Sequence, residues 1–336
     1  MKYYIEIGTI NKAKQDIDEI CLQEGFVNLT RCNFGNGGVG RFLTKLFAVC
    51  NILFCLKKDD ILLLQYPMKK FYKIACRFAR MKGARVVTIV HDLGAFRRKK
   101  LTPAQENKLL SLTDFLIVHN STMRDYIIEH GFKGGVHCLE IFDYLSGKRP
   151  AAYDTPHSPW KVVYAGNLGR WRNEFLYKMN GCVTNYELDL YGKGFNDAEN
   201  DCKQLHYHGF MASDDFISSV NADFGIVWDG DSIAECTGAW GEYLKINNPH
   251  KTSFYLCAGV PVIVWSKAAM APFVKEQNVG LVVDSLSQIC ERLAALTPAE
   301  YARMREAARM VSERLSQGYY FREGLKSAYE YLALKS

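Results

Sequence analysis

The stretch Tyr243–Val264, YLKINNPHKTSFYLCAGVPVIV, decides the fold. Asn248 is a favourable N-cap, Pro249 fits the first helical position, and Gly259 ends the helix before the β-branched run Val262–Val264. A strand candidate, Phe224–Trp228, lies upstream, so the segment reads as the loop, helix and next strand of a parallel α/β sheet. The helix would begin beyond the carboxyl end of a strand, where such sheets hold ligands. Its positive dipole end carries Lys251, with Lys245 just upstream. Proteins hold phosphate without a metal in this way. An ordinary well-capped helix would account for Asn248 and Pro249 but not for the lysines beside them.

The same alternation fills the chain. Strand candidates Tyr3–Ile7, Phe26–Cys32, Asp60–Tyr66, Val86–His91, Phe115–His119 and Val136–Ile141 alternate with helical patterns, notably Lys12–Gln23, Val39–Leu56 and Lys69–Met81. The polar, proline-bearing segment Ser146–Ser158 reads as an interdomain linker. The pattern then restarts with strands at Lys161–Ala165, Glu187–Tyr191, Leu205–His208, Phe224–Trp228, Val262–Val264 and Gly280–Val283. Helices at Leu286–Leu296, Pro298–Leu315 and Tyr319–Leu334 close the chain. The expected architecture is α/β: two Rossmann-like domains, residues 1–150 and 151–336, face a ligand cleft. The last helix is expected to cross back to the first domain.

A composition of 48% hydrophobic, 13% aromatic and 23% charged residues over 336 positions excludes a disordered or fibrous chain. The net charge of +6 is unevenly distributed. Residues 1–150 carry 24 Lys/Arg against 14 Asp/Glu, or +10, and residues 151–336 carry 18 against 22, or −4. The excess gathers in Lys69–Lys100, where eleven bases face one acid, Asp92. A basic amphipathic helix at Lys69–Met81 suits an anionic membrane surface or a lipid diphosphate. No nucleic-acid-binding module is visible, so nucleic acid is not expected as a partner. The 11 scattered cysteines include no C-x-x-C pair, which fits a reducing cytoplasm rather than a disulfide framework or zinc site. No secretory signal opens the sequence. The apolar run Phe42–Leu56 contains Lys45 and falls short of a membrane span, so a buried or interfacial helix is expected. The location expected is cytoplasmic, peripheral at the inner face of the cell membrane.

Several loops after strands could carry chemistry. Gly35–Gly40, GNGGVG, formally matches a dinucleotide fingerprint but follows the second strand rather than the first. Gly37 and Gly38 are better read as an acceptor-side loop at a helix N-terminus than as an NAD site. His91 and Asp92 end a strand, where either could serve as general base toward a hydroxyl. Gly166 and Asn167 allow a tight turn, and Arg170 and Arg172 beyond it offer bidentate donors for a diphosphate. Asn247, Asn248, Lys251 and Thr252 line the phosphate-type helix start. The loop Trp228–Tyr243 is long for a compact domain; its carboxylates suit sugar hydroxyls, and Tyr243 or a tryptophan suits a sugar ring. His206 and His208 have metal-ligand spacing on one strand face without a clear third ligand.

The strings YAGNLGR, YGKG, HGF, ADFGIVWDG, YLKINNPHK and CAGVPVIV, in this order, together with HDLGAFR in the first half, resemble two-domain glycosyltransferases of the B fold. The sequence is similar in particular to bacterial galactofuranosyltransferases and related glucosyltransferases of surface polysaccharide and adhesin glycosylation. The resemblance implies a UDP-sugar donor bound mainly by the second domain, and a glycan or lipid-linked acceptor bound by the first. It also implies a nucleotide-binding set of Arg170 or Arg172, Tyr207, Lys245, Asn248 and Lys251. No cofactor and no metal are implied: Asp229-Gly230-Asp231 has Asp-x-Asp spacing but follows a late strand. The acidic pair of retaining B-fold enzymes has no clear counterpart, so inversion with His91 or Asp92 as base is expected. A non-catalytic sugar-nucleotide or polysaccharide-binding protein is the alternative, because fold alone does not give activity. Self-association into a homo-oligomer is a further expectation.

Overall fold

A computed structural model describes residues 1–6, 11–35, 37–68, 71–97, 101–151 and 156–334. The chain divides into two compact units, one formed by Met1–Leu139 with Gly318–Ser336 and the other by Glu140–Gln317.

The first unit holds a parallel six-stranded sheet ordered β2-β1-β3-β4-β5-β6. Its strands are β1 (Lys2–Tyr4), β2 (Val27–Asn28), β3 (Ile61–Tyr66), β4 (Arg85–Val90), β5 (Phe115–Val118) and β6 (Gly135–Cys138). The central strands read as near-continuous apolar runs because both faces are covered, and Leu62, Leu63, Leu64, Val86, Val87 and Ile89 are all buried. In the β3–β4 register Gln65 faces Ile89 and Tyr66 faces Val90.

The second unit repeats the plan with β7 (Trp160–Asn167), β8 (Tyr186–Lys193), β9 (Leu205–Tyr207), β10 (Phe224–Val227), β11 (Val262–Trp265) and β12 (Gly280–Val283). Their order, β12-β11-β10-β7-β8-β9, places a topological switch point between β10 and β7. The core includes Trp228, Trp265, Tyr164, Phe175 and Phe224.

Three expectations need correction. Residues 152–155 of the Ser146–Ser158 segment lie outside the described residues, and the boundary expected after residue 150 moves: the division falls between Leu139 and Glu140. The following residues are tied to the second unit, where the Tyr144 N–H donates to the Leu315 carbonyl and Ser146 donates to Asp214. The helix at His250–Cys257 is capped by Pro249 in extended backbone, not by Asn248. Asn248 is buried and its amide donates to the Glu140 carbonyl at 2.8 Å, so a tertiary partner has taken the side chain that would have capped the helix. The Trp228–Tyr243 loop is folded rather than structureless. Its Trp228 is buried and donates to the Ser232 carbonyl, and Gly238–Tyr243 is helical.

Candidate active site

The constellation in the second unit is built where β7 and β8 end. Gly166 has a φ of +127°, which residues with a side chain rarely adopt, and a Cβ there would stand in ordinary contact 3.5 Å from Lys251 Cε. Gly192 has a φ of +151°, and a Cβ there would lie 1.9 Å from the Gly166 carbonyl oxygen, so the two strand ends can lie this close only with no side chain at Gly192. The His250–Cys257 helix is pinned beside them by its own Tyr255, whose hydroxyl accepts from the Ala165 N–H at 2.6 Å. Its first turn thereby brings Lys251 against the end of β7.

Lys251 meets Asp229, which lies just past β10 and is buried. Their N–O separation is 3.6 Å. Arg172 donates through Nε and a terminal nitrogen to both Asp229 oxygens, at 2.9 and 3.0 Å, and stacks 4.0 Å from the Trp240 ring. Lys251 also donates to the Tyr164 hydroxyl and lies over that ring. The Tyr164 hydroxyl is held 2.8 Å from Asn173 Oδ1 and 2.9 Å from the Trp228 carbonyl. Two cations thus share one carboxylate, leaving a net positive charge for an anion. Burial, with Arg172 adding repulsion, lowers the Lys251 pKa to about 8 even though Asp229 opposes the shift. A cavity of about 420 Å³ opens beside this cluster, lined among others by Gly166, Gly192, Lys193, Phe210, His250 and Lys251.

Of the two arginines, the structure brings Arg172 into the cluster. Arg170 instead pairs with Glu199 and Glu174 beside the Tyr177 ring. Asn167 shapes the turn, its Oδ1 accepting from the Gly169 N–H at 2.8 Å. Tyr207 donates to the Gly192 carbonyl at 3.0 Å and so braces the same strand end. Lys245 is exposed and paired with Glu242. Tyr243 is core rather than a stacking surface. Thr252 is fully buried, and neither its Oγ1 nor Asn247 Oδ1 has a hydrogen-bond partner among the described residues. His206 and His208 pair with Glu187 and Asp189, and no group of three or more metal-ligating side chains occurs among the described residues. Asp229, central to the cluster, stood out in the sequence for its spacing to Asp231 and as one of the loop carboxylates suited to sugar hydroxyls, not as the partner of Arg172 and Lys251.

In the first unit His91 follows β4, its N–H donating to the Tyr66 carbonyl at 2.8 Å. Its Nε2 lies 2.8 Å from Gln65 Oε1, and the Gln65 amide nitrogen donates to Asp18 Oδ1 at 2.7 Å. Beyond His91 and Asp92, the loop is fixed by buried Glu106. This carboxylate accepts from the Gly94 and Ala95 N–H groups at 2.6 and 3.0 Å and from the Tyr66 hydroxyl at 2.8 Å. Buried His119 lies against the Val90 and His91 backbone, and burial lowers its pKa to about 4, so it is neutral. Gln65 and Glu106 carry no sequence signal, because strand register and loop closure bring them to His91 and Gly94. Gly37 caps the Gly38–Cys55 helix, and a Cβ at Gly37 or Gly38 would meet nothing within 4 Å among the described residues. Of the basic segment, Lys69, Lys70, Arg98, Lys99 and Lys100 lie outside the described residues.

Sequence models of the glucosyltransferase 3-like N-terminal and C-terminal domains match residues 5–141 and 162–328. The chain belongs to the glucosyltransferase 3-like family. It is 31% identical to the β-1,6-galactofuranosyltransferase WbbI of Escherichia coli K12, over 94% of this chain and 92% of that one. It is 25% identical to glucosyltransferase 3 of Streptococcus gordonii, over 80% and 79% of the two chains. Among solved structures, sucrose-phosphate synthase from Thermosynechococcus elongatus aligns with a TM-score of 0.52 at 14% identity, over 90% of this chain and 81% of that one, a likeness of fold. This glucosyltransferase 3-like protein is therefore a B-fold glycosyltransferase, and an enzyme rather than a sugar-binding module.

Proposed function

We propose that this enzyme moves a hexose from a UDP-sugar to a glycan or lipid-linked acceptor, with inversion and without a divalent metal. The observation that carries the reading is the Arg172–Asp229–Lys251 cluster beside the cavity at the ends of β7 and β8. Phosphate oxygens at that place would receive charge from Lys251 and Arg172 as the leaving diphosphate develops it, which is electrostatic catalysis by preorganised donors. The acceptor oxygen bonds to the anomeric carbon, and the bond from that carbon to the phosphate oxygen breaks with its electron pair leaving on UDP. The acceptor's proton passes to His91, the better placed of the two candidate bases because its imidazole is already oriented by Gln65. The 31% identity to a galactofuranosyltransferase makes UDP-galactofuranose the first donor to try, with UDP-glucose and UDP-galactose beside it. Turnover of one of these in the presence of EDTA is expected; UDP binding that requires a divalent ion would overturn the metal-free scheme.

The polarised charge supports a second element, docking on an anionic membrane at the cytoplasmic face. The Gly38–Cys55 helix is apolar and only 17% buried, with Val39, Phe47 and Phe54 exposed. Most of the segment is thus not buried, which goes against the buried alternative, and the interfacial placement is the reading proposed here. Against expectation, the helix is long and apolar enough by length and composition to cross a membrane. It packs against the Phe71–Met81 helix, which exposes Lys73, Arg77 and Arg80, and neither helix contains an acid. Each base near such a surface contributes about 1 kcal/mol. Sedimentation with phosphatidylglycerol vesicles should therefore fall in K73E/R77E and be weak with neutral vesicles. Equal binding to both vesicle types, or a stable dimer that hides the face, would overturn this reading.

A further inference from the structure

The Gln65 side chain is buried on β3 and touches three groups. One is the carbonyl oxygen of Lys14, 3.2 Å from the Gln65 amide nitrogen, and a backbone carbonyl only accepts hydrogen bonds. Another is Asp18 Oδ1, at 2.7 Å from the same nitrogen. The third is His91 Nε2, 2.8 Å from Oε1. The Lys14 carbonyl therefore fixes the amide with its nitrogen toward the Lys12–Gln23 helix and its oxygen toward His91, whatever the protonation of Asp18. An amide oxygen has no hydrogen to give, so the imidazole must give one.

We propose that Gln65 is a positioning residue that holds His91 in the Nε2–H tautomer, so that Nδ1 is the atom that takes the acceptor's proton. The inference rests on His91 being the base, as proposed above. In the neutral ring the lone pair then sits on Nδ1. When the acceptor oxygen attacks, its proton moves to Nδ1 and the ring becomes imidazolium, with the charge stabilised at Nε2–H by the Gln65 oxygen. A neutral amide stabilises that cation less than a carboxylate would, which keeps the ring a ready proton donor to solvent after transfer. Orientation by an amide is also insensitive to pH, because Gln65 itself does not titrate.

The test combines spectroscopy on the whole chain with turnover. In ¹⁵N-labelled wild-type protein above the histidine titration, a long-range ¹H–¹⁵N correlation, assigned through His91→Asn, should show Nε2 protonated and Nδ1 bare. Gln65→Met, which keeps the length and loses the acceptor, should give exchange-averaged shifts at both nitrogens. It should also lower kcat about ten-fold through lost orientation, with UDP affinity unchanged. A protonated Nδ1 in the wild type overturns the inference without needing any variant to fold. Unchanged shifts and kcat in a folded Gln65→Met protein overturn it as well. Full activity in His91→Ala would instead remove the base reading on which the catalytic half rests, and the wild-type spectrum would still decide the tautomer.

Discussion

Both sheets place their candidate chemistry past the carboxyl ends of parallel strands, yet the two places handle charge in opposite ways. In the second unit three ionised groups, Arg172, Lys251 and Asp229, are drawn together with the cations in excess. In the first, His91 is held by a neutral amide, and buried Glu106 is satisfied by two backbone N–H groups and a tyrosine hydroxyl rather than by a cation. The former suits binding an anion; the latter suits moving a proton without attracting one. The difference teaches that a repeated fold need not repeat an electrostatic design, because loop residues rather than strands set the charge.

Four experiments would break or sharpen this contrast. The largest effect is expected from His91→Ala, which should lower kcat by about 10²–10⁴-fold, the ordinary range for a general base, while calorimetry finds UDP affinity unchanged. Equal losses in both would mean the two units do not divide the work in this way. Next, Asp229→Ala leaves two half-buried cations unpaired and should destabilise the second unit by about 3–5 kcal/mol. All five tryptophans (Trp160, Trp171, Trp228, Trp240 and Trp265) lie in that unit, so the urea midpoint by tryptophan fluorescence reads it directly.

Third is the pH dependence at Lys251. Its pKa is lowered to about 8 from 10.5, so between those values the unfolded chain binds more protons than the folded one and stability should rise with pH. Lys251→Met should flatten that rise. A bound diphosphate favours the charged lysine, so UDP affinity should weaken above about pH 8, with proton uptake visible as buffer-dependent binding heats. The smallest effect belongs to Asp18. Burial first, and Glu6 second, raise its pKa to about 8 from 3.8, so the folded protein keeps a proton that the unfolded chain releases. Stability from this group should be full below 3.8 and be lost as pH climbs toward about 8, the opposite slope to Lys251. Urea unfolding of Asp18→Asn followed by circular dichroism should lack that decline.

The strands were legible because two-sided burial writes itself as apolar runs, such as ILLL in β3 and VVTIV in β4. The helices at Lys12–Gln23 and Tyr319–Ala333 were legible from their periodicity to within a residue. What failed was local chemistry read without its tertiary partner. Asn248 has the right type and place for a cap, but the Glu140 carbonyl, 108 positions away, claims it. Lys251 was visible as a cation at a helix start, whereas its dependence on Asp229 and Arg172 was not, since those two meet only across 57 residues of sequence. Gln65 was invisible because a glutamine inside an apolar strand gives no hint that a histidine follows the neighbouring strand.

The return of Gly318–Ser336 to the first unit sets an order of assembly. The Tyr319–Ala333 helix packs on β5, β6 and the Lys12–Gln23 helix, and Arg322 reaches Gln23 and Glu24. This helix is translated after residues 140–317, which can already have collapsed into a complete sheet by then. The unit begun first is thus completed only after the intervening one. A stop codon shortly before residue 318 would leave the intervening unit intact and the earlier one uncovered beside Ile20 and Ile117, both of which lie against glycines of the returning segment. Substitutions on the buried face of the Tyr319–Ala333 helix would then act on the opening sheet's own packing.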